Sequence, residues 1–275
     1  MLIATNPYNG QQLEGFPSLD KDEMYARIGD ASAAFTGWRT TSFAERANVL
    51  KAVAQQLRAE KQDIAELMAL EMGKPIKEGV PEVEKAATCA EYYADHAEAY
   101  LADETLPSDA SLSYVTYQPL GTLLGILPWN APLWLAFRYL APALMAGNTC
   151  VMKHDPHVPQ SAQAIANAFL KAGAPDNIMV NLPLETPEVE LAIRDPRIAA
   201  VSFTGSNSAG KKVAAIAGSE VKPCVLELGG SDPVLVLNDA NLEQAADIIC
   251  LARIINAGQS CIAAQRGVVE AGAHD

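Results

Sequence analysis

Apolar residues recur at helical spacing through the first third of the chain and at strand spacing beyond it. Leu50, Val53, Leu57, Ile64, Leu67 and Leu70 fall near i, i+3/i+4, i+7, which predicts helix from Asp20 to about Asp103, stopped once at Gly73-Lys74-Pro75. The second helical stretch, from about Ile76 to Leu101, carries Tyr92, Tyr93 and His96, read as packing or rim residues. Residues 1–18 hold Asn-Pro and Asn-Gly turn signals and read as an extended lead-in. Past Asp103 the period shortens. Leu112–Tyr117 alternates like a strand, and Gly121–Leu127 is a short apolar run. Further strands are predicted at Thr149–Lys153, Ile178–Leu182, Ala199–Phe203, Cys224–Leu228 and Pro233–Leu237. Between them, helices are predicted at Leu133–Ala146, Pro159–Ala172, Pro187–Ile193, Ser208–Ala217 and Leu242–Ile255. Short apolar strands alternating with amphipathic helices mean an α/β fold with a parallel, doubly wound sheet.

Sheets of this kind bind ligands at the carboxyl ends of their strands. Asn130 follows one predicted strand, Lys153 ends the next, Gly205 follows Phe203, and Glu227 lies at the end of Cys224–Leu228. Four polar candidates therefore share one edge.

Composition narrows the class. With 275 residues, 49% hydrophobic and 19% charged, the chain can bury a sizeable core and is not a disordered protein. A formal net charge of −13 argues against a nucleic-acid binder and lends no support to an anionic membrane partner. Cys89, Cys150, Cys224, Cys250 and Cys261 show no Cys-x-x-Cys spacing, which reads as reduced thiols in a reducing compartment. No run approaches the ~18 apolar residues of a membrane span, and no signal peptide is visible at the N-terminus. These features lead us to expect a cytoplasmic protein.

The candidate chemistry centres on Asn256-Ala-Gly-Gln-Ser-Cys-Ile-Ala-Ala-Gln-Arg266, where Cys261 sits among small and polar residues. A thiolate is a strong nucleophile, and a turn rich in free N–H groups favours it; a small buried hydrophobe is the other reading of a lone cysteine. Glu227, in Leu-Glu-Leu-Gly-Gly, is a candidate to activate water, or else a solvated strand end. Asn130, after Pro128-Trp129, is a candidate amide donor to an oxyanion, or a turn residue bonded to its own backbone. Gly205-Ser206-Asn-Ser-Ala-Gly210 is a strand-to-helix turn suited to a phosphate, though it departs from the Gly-x-Gly-x-x-Gly fingerprint. Lys153 is placed to reach ribose hydroxyls or a ribose phosphate, or is an ordinary surface lysine. His154, His157 and His274 lack ligand spacing, so no metal site is assigned. A cysteine-protease arrangement has only His274 downstream of Cys261 to serve as base, and fits poorly.

Taken jointly, Pro128-Trp129-Asn130, Phe203-Thr204-Gly205-Ser206, Glu227-Leu228-Gly229-Gly230 and Gly258-Gln259-Ser260-Cys261 resemble the aldehyde dehydrogenase superfamily. The 34-residue interval from Glu227 to Cys261 agrees, and the likeness runs from Asn6-Pro7 through Arg266. Within the superfamily the chain looks most like the bacterial-type succinate-semialdehyde dehydrogenases. Glu71-Met72-Gly73-Lys74-Pro75, Lys153-His154-Asp155-Pro156 and Gly229-Gly230-Ser231-Asp232-Pro233 carry that closer similarity. The resemblance implies a Rossmann-like cofactor domain behind a helical N-terminal region. It implies Cys261 as nucleophile, Asn130 with the Cys261 N–H as oxyanion donors, and Glu227 as the base for thioester hydrolysis. Trp129, Lys153, Gly205, Ser206 and Leu228 would line the site for NADP or NAD. Arg138 would take a substrate carboxylate, a task suited to a guanidinium fork, or would cap its helix. Pro156 stands where NAD-specific members often carry a ribose-binding glutamate, so NADP should be accepted.

The chain departs from the family in length, in Gly267 where phenylalanine is usual, and in Ala131 after Asn130. We expect residues 1–228 to form the N-terminal helices and cofactor domain, and residues 229–275 the start of a second, incomplete α/β catalytic domain in a truncated chain. Ile249, Leu251, Ile254 and Ile255 should then be partly exposed. A homo-oligomer is implied for full-length members and is left open for this one. The expected function is aldehyde oxidation, with succinate semialdehyde as substrate by family type. The alternatives are an inactive nucleotide-binding remnant or partner of a full-length relative and, less favoured because Glu227 is present, an acyl-CoA-forming enzyme.

Overall fold

The computed structural model describes residues 1–274. Four helices come first: α1 (Lys21–Trp38), α2 (Phe43–Ala59), α3 (Lys61–Met72) and α4 (Ile76–Tyr100). The long predicted helical stretch is thus three helices before Gly73, and the breaks have local causes. Asp20 and Ser42 each form a capping box, with Glu23 and Glu45 respectively, and so start α1 and α2. Gly73 ends α3 in the left-handed region, φ 78°. The lead-in doubles back on itself through Leu2–Phe16 and Thr5–Gln12 bridges.

A short antiparallel pair follows, β1 (Glu104–Thr105) and β2 (Tyr114–Val115). The predicted Leu112–Tyr117 strand is therefore reduced to two residues: both faces of this excursion are exposed, so alternation there has no core to serve. The body of the molecule is β3 (Thr122–Leu127), α5 (Pro132–Met145), β4 (Thr149–His154), α6 (Pro159–Lys171), β5 (Met179–Asn181), α7 (Val189–Arg194), β6 (Ile198–Thr204), α8 (Asn207–Ser219) and β7 (Cys224–Glu227). Its five strands are parallel in the order β5-β4-β3-β6-β7. The sheet is doubly wound, as expected. On one face, Leu127, Cys150 and Met152 pack with Leu133, Phe137, Leu140 and Ile165 and with the α2–α4 layer. On the other, Leu124, Ile126, Val151 and Phe203 pack with Met24 and Ile28 of α1 and Val213 of α8. Side chains alternate between the two cores because successive strand residues point to opposite faces.

The chain leaves β3 toward β4 and β5, then returns to lay β6 on the other side of β3. A crevice opens at such a reversal, above the carboxyl ends of the strands. One close approach supports it from below. A side chain at Gly125 in β3 would meet the ring of Tyr139, whose hydroxyl donates to the Leu123 carbonyl at 2.7 Å and ties α5 to the sheet.

After β7 the chain forms a separate unit: β8 (Asp232–Val236), α9 (Leu242–Ile254) and β9 (Ala264–Val269), with β8 and β9 parallel. The sequence pattern did not predict β9. Its residues are largely exposed and carry no alternation. Leu251, Ile254 and Ile255 are exposed and Ile249 half-buried, as anticipated.

Candidate active site

Asn130, Gly205 and Glu227 stand at the carboxyl ends of β3, β6 and β7, and the Cys261 loop faces them from between α9 and β9. Together they line a cavity of about 350 Å³ that includes Trp129, Arg138, Ser206 and Leu228. A second cavity, about 340 Å³, lies against α9 and β9 beside Cys250 and holds none of the nominated residues.

The two loops are stitched together. Asn130 Nδ2 donates to the Gln259 carbonyl at 2.8 Å, and Asn256 Nδ2 donates to the Asn130 carbonyl at 2.9 Å. A primary amide has two N–H bonds, so Asn130 retains one for another acceptor. Cys261 is exposed in the turn after these residues, and Glu227 is exposed at the edge of the sheet. Arg138 Nη2 lies 3.3 Å from Glu227 Oε2. The guanidinium assigned to a substrate carboxylate is thus paired with the protein's own carboxylate, in a half-exposed pair of small net strength.

The turn after β3 is fixed from a distance. Helix α5 begins Ala131-Pro132 and has no capping side chain of its own. Glu82 of α4 supplies one: its Oε1 accepts from Leu133 N–H at 2.9 Å and Trp134 N–H at 3.2 Å, and its Oε2 pairs with buried Lys74. Glu71 does the same for α6, accepting from the N–H groups of Gln160 and Ser161 and from the Ser161 hydroxyl. Burial raises the Glu71 pKa while these bonds pull it down. Lys74, Glu82 and Asn256 escaped sequence reasoning as site supports. The uncapped start of α5 was the available signal, since a helix beginning at Pro with no polar side chain before it needs an acceptor from elsewhere.

Lys153 is the penultimate residue of β4 and is 5% exposed, so it is not a surface lysine; it does not line the cavity. Burial lowers its pKa, against the pull of Asp155 and Glu188. His154 beside it is buried, and burial pushes it down to about 4. Its ring nitrogens lie near the Pro128 and Pro132 carbonyls without a hydrogen bond of normal geometry.

The residues present fit a nicotinamide dinucleotide. A side chain at Gly205 would fall 2.6 Å from the Phe203 ring, so packing against that ring requires a glycine at the start of the turn. Ser206 caps α8 by accepting from Ala209 N–H, which aims the positive end of that helix at the cavity. Among the described residues, no group of three His, Cys, Asp or Glu is placed to hold a metal ion.

Curated relatives share the sequence of this chain, and solved ones its arrangement. Over 280 residues the sequence is 47% identical to succinate-semialdehyde dehydrogenase [NADP(+)] 1 of Mycobacterium ulcerans, covering all of this chain and 61% of that protein. The Mycobacterium tuberculosis protein of the same name matches equally, 47% over 281 residues with the same coverage. Among solved structures, succinic semialdehyde dehydrogenase from Streptococcus pyogenes, in complex with NADP+, superposes with a TM-score of 0.94 at 33% identity. That alignment covers 98% of this chain and 59% of the other. PnpE in complex with nicotinamide adenine dinucleotide gives 0.93 at 28% identity, covering 98% and 56%. The chain spans about 61% of the length of the curated relatives it matches. The pattern of the aldehyde dehydrogenase family matches residues 2–275, and the chain belongs to that family.

Proposed function

We propose that this chain carries the reacting groups of an NAD(P)-dependent aldehyde dehydrogenase acting on succinate semialdehyde. One observation carries the reading: Cys261, Asn130, Glu227 and Arg138 line a single cavity at the switch point of the sheet. Cys261 as thiolate adds to the aldehyde carbon, and the free N–H of Asn130 with the Cys261 backbone N–H receives the oxyanion. Bound NADP or NAD supplies the hydride acceptor. Trp129, Gly205, Ser206 and Leu228 would hold it, with Lys153 beneath. Glu227 then activates the water that releases the acid from Cys261. Arg138 gives up Glu227 to the substrate's carboxylate, which frees the base as the substrate arrives. The absence of a carboxylate at Pro156 supports NADP, the cofactor in the names of the mycobacterial relatives.

The division into residues 1–228 and 229–275 belongs to the same reading, supported by the separate β8–β9 sheet. A reducing cytoplasm is supported by five free thiols. Among the described residues no helix is long and apolar enough to cross a membrane.

A second reading, nucleotide binding without turnover, is favoured by the exposure of Cys261 and Glu227, which leaves water with free access to the reacting centre. Reduced-cofactor formation with succinate semialdehyde decides between them, run with NADP+ and NAD+ in parallel and with Cys261→Ala as control. Turnover lost in the control supports the first reading. Nucleotide binding by calorimetry without turnover establishes the second. Acceleration by added CoA would replace Glu227-assisted hydrolysis with acyl transfer.

A further inference from the structure

Helix α4 touches both loops that present the reacting groups. Glu78 and Glu82 lie one turn apart, hence on one face of the helix. Glu82 caps α5 just after the Asn130 turn. Glu78 Oε2 accepts from the Ala257 N–H at 3.0 Å, four residues before Cys261.

The loop that Glu78 reaches has an uncommon backbone. Asn256, Ala257 and Gly258 are consecutively left-handed, with φ of 60°, 54° and 73°. Glycine adopts this region freely and asparagine tolerates it, whereas the Cβ of alanine clashes with its own backbone. Such a conformation persists where surroundings impose it. Here Asn256 bridges the carbonyls of Asn130 and Gln259, at 2.9 and 3.0 Å, and Asn130 holds the Gln259 carbonyl at 2.8 Å. Those contacts grip the residues on either side of Ala257. Glu78 grips Ala257 itself, and an ionised acceptor is stronger than a neutral one.

We infer that Glu78 is a positioning residue: its carboxylate holds Ala257 in the left-handed region and thereby registers the Cys261 loop against the Asn130 turn. Lys74 and Glu82 fix the other half of that register. The inference about the loop stands on geometry alone; its consequence for chemistry rests on Cys261 being the nucleophile.

The test is hydrogen exchange by mass spectrometry on the full 275-residue chain. In Glu78→Ala, exchange in the peptide covering Gly258–Cys261 should rise about tenfold, with the α5 peptide and the melting temperature unchanged. Glu78→Gln keeps an oxygen that accepts the N–H but loses the charge, so its exchange should rise clearly less than in Glu78→Ala. In an Ala257→Gly background the loop no longer needs holding, so Glu78→Ala should raise exchange by less than about threefold. The loop also walls the cavity, so its release should quicken labelling of Cys261 by a bulky maleimide while exposed Cys250 keeps its rate. Parent-like exchange and labelling in Glu78→Ala would overturn the inference, as would Glu78→Gln behaving like Glu78→Ala. Exchange needs no substrate, so a chain without turnover defeats the aldehyde reading and leaves this result standing.

Discussion

Arg138 and Glu227 give the site its sharpest residue-level prediction. Their half-exposed pair contributes at most about 1 kcal/mol, so a substrate carboxylate can displace Glu227 at little cost. Charge-assisted bonds to that carboxylate are worth about 1.5–3 kcal/mol. Arg138→Leu should therefore raise KM for succinate semialdehyde roughly tenfold to hundredfold while leaving that for butanal unchanged. Equal effects on both aldehydes would reduce Arg138 to a structural cap. His154 offers a second prediction. Its pKa falls from the ordinary 6.5 to about 4 because burial disfavours the charged ring. Between those values the unfolded chain binds more protons than the folded one, so stability is full above pH 6.5 and is lost as pH falls toward 4. The loss amounts to about 3 kcal/mol. His154→Leu removes the titrating group, and urea melts at neutral and acid pH should then show a smaller acid loss than the parent. An unchanged slope would assign the acid sensitivity elsewhere.

At the scale of elements, the start of α5 depends on α4. Glu82→Ala strands two N–H groups and leaves the Lys74 ammonium, 1% exposed, without its partner. A broken buried pair costs about 3–5 kcal/mol. Lys74→Met should cost less, because the remaining carboxylate keeps both N–H bonds and the favourable end of the helix dipole. Chemical denaturation of the two variants would show this order; the reverse would mean that Lys74 and not Glu82 carries the junction. The elements themselves were largely legible. The short apolar runs at Gly121–Leu127 and in the later strands report two buried faces, and the observed strands lie within about a residue or two of the predicted ones. β9 was illegible because an exposed strand needs no apolar face, and Leu112–Tyr117 misled because chance alternation looks like a buried edge. The site was legible where chemistry dictates residue type, as at Cys261, Glu227 and Asn130. It was illegible where partners lie far apart in sequence, as with Glu78 and Ala257, or where burial alone changes a residue's character, as with Lys153.

For the whole molecule, apolar exposure is uneven. The α2–α6 layer exposes one apolar residue to that degree, Leu170 at 72%, whereas Leu235, Leu251, Ile254 and Ile262 are each more than 60% exposed in the β8–α9–β9 unit and its loop. Exposed apolar side chains clustered in one unit bind hydrophobic dyes. The native chain should enhance ANS fluorescence, and Leu251→Gln with Ile254→Gln should lower the signal without shifting the melting temperature. Dye binding that survives the pair of changes would locate the patch elsewhere, with the exposed Val225 and Leu226 of β7 next in line.

The contact between Gly125 and Tyr139 bears on how the protein tolerates change over generations. In a saturation library scored for cellular abundance and separately for turnover, Cys261 should be permissive in the first score and intolerant in the second. Gly125 should be intolerant in both, since even a methyl group there would sit 2.4 Å from the Tyr139 ring. A glycine that touches no substrate would then constrain the divergence of the chain as tightly as its nucleophile does, and filtering variants by activity alone could not tell the two apart.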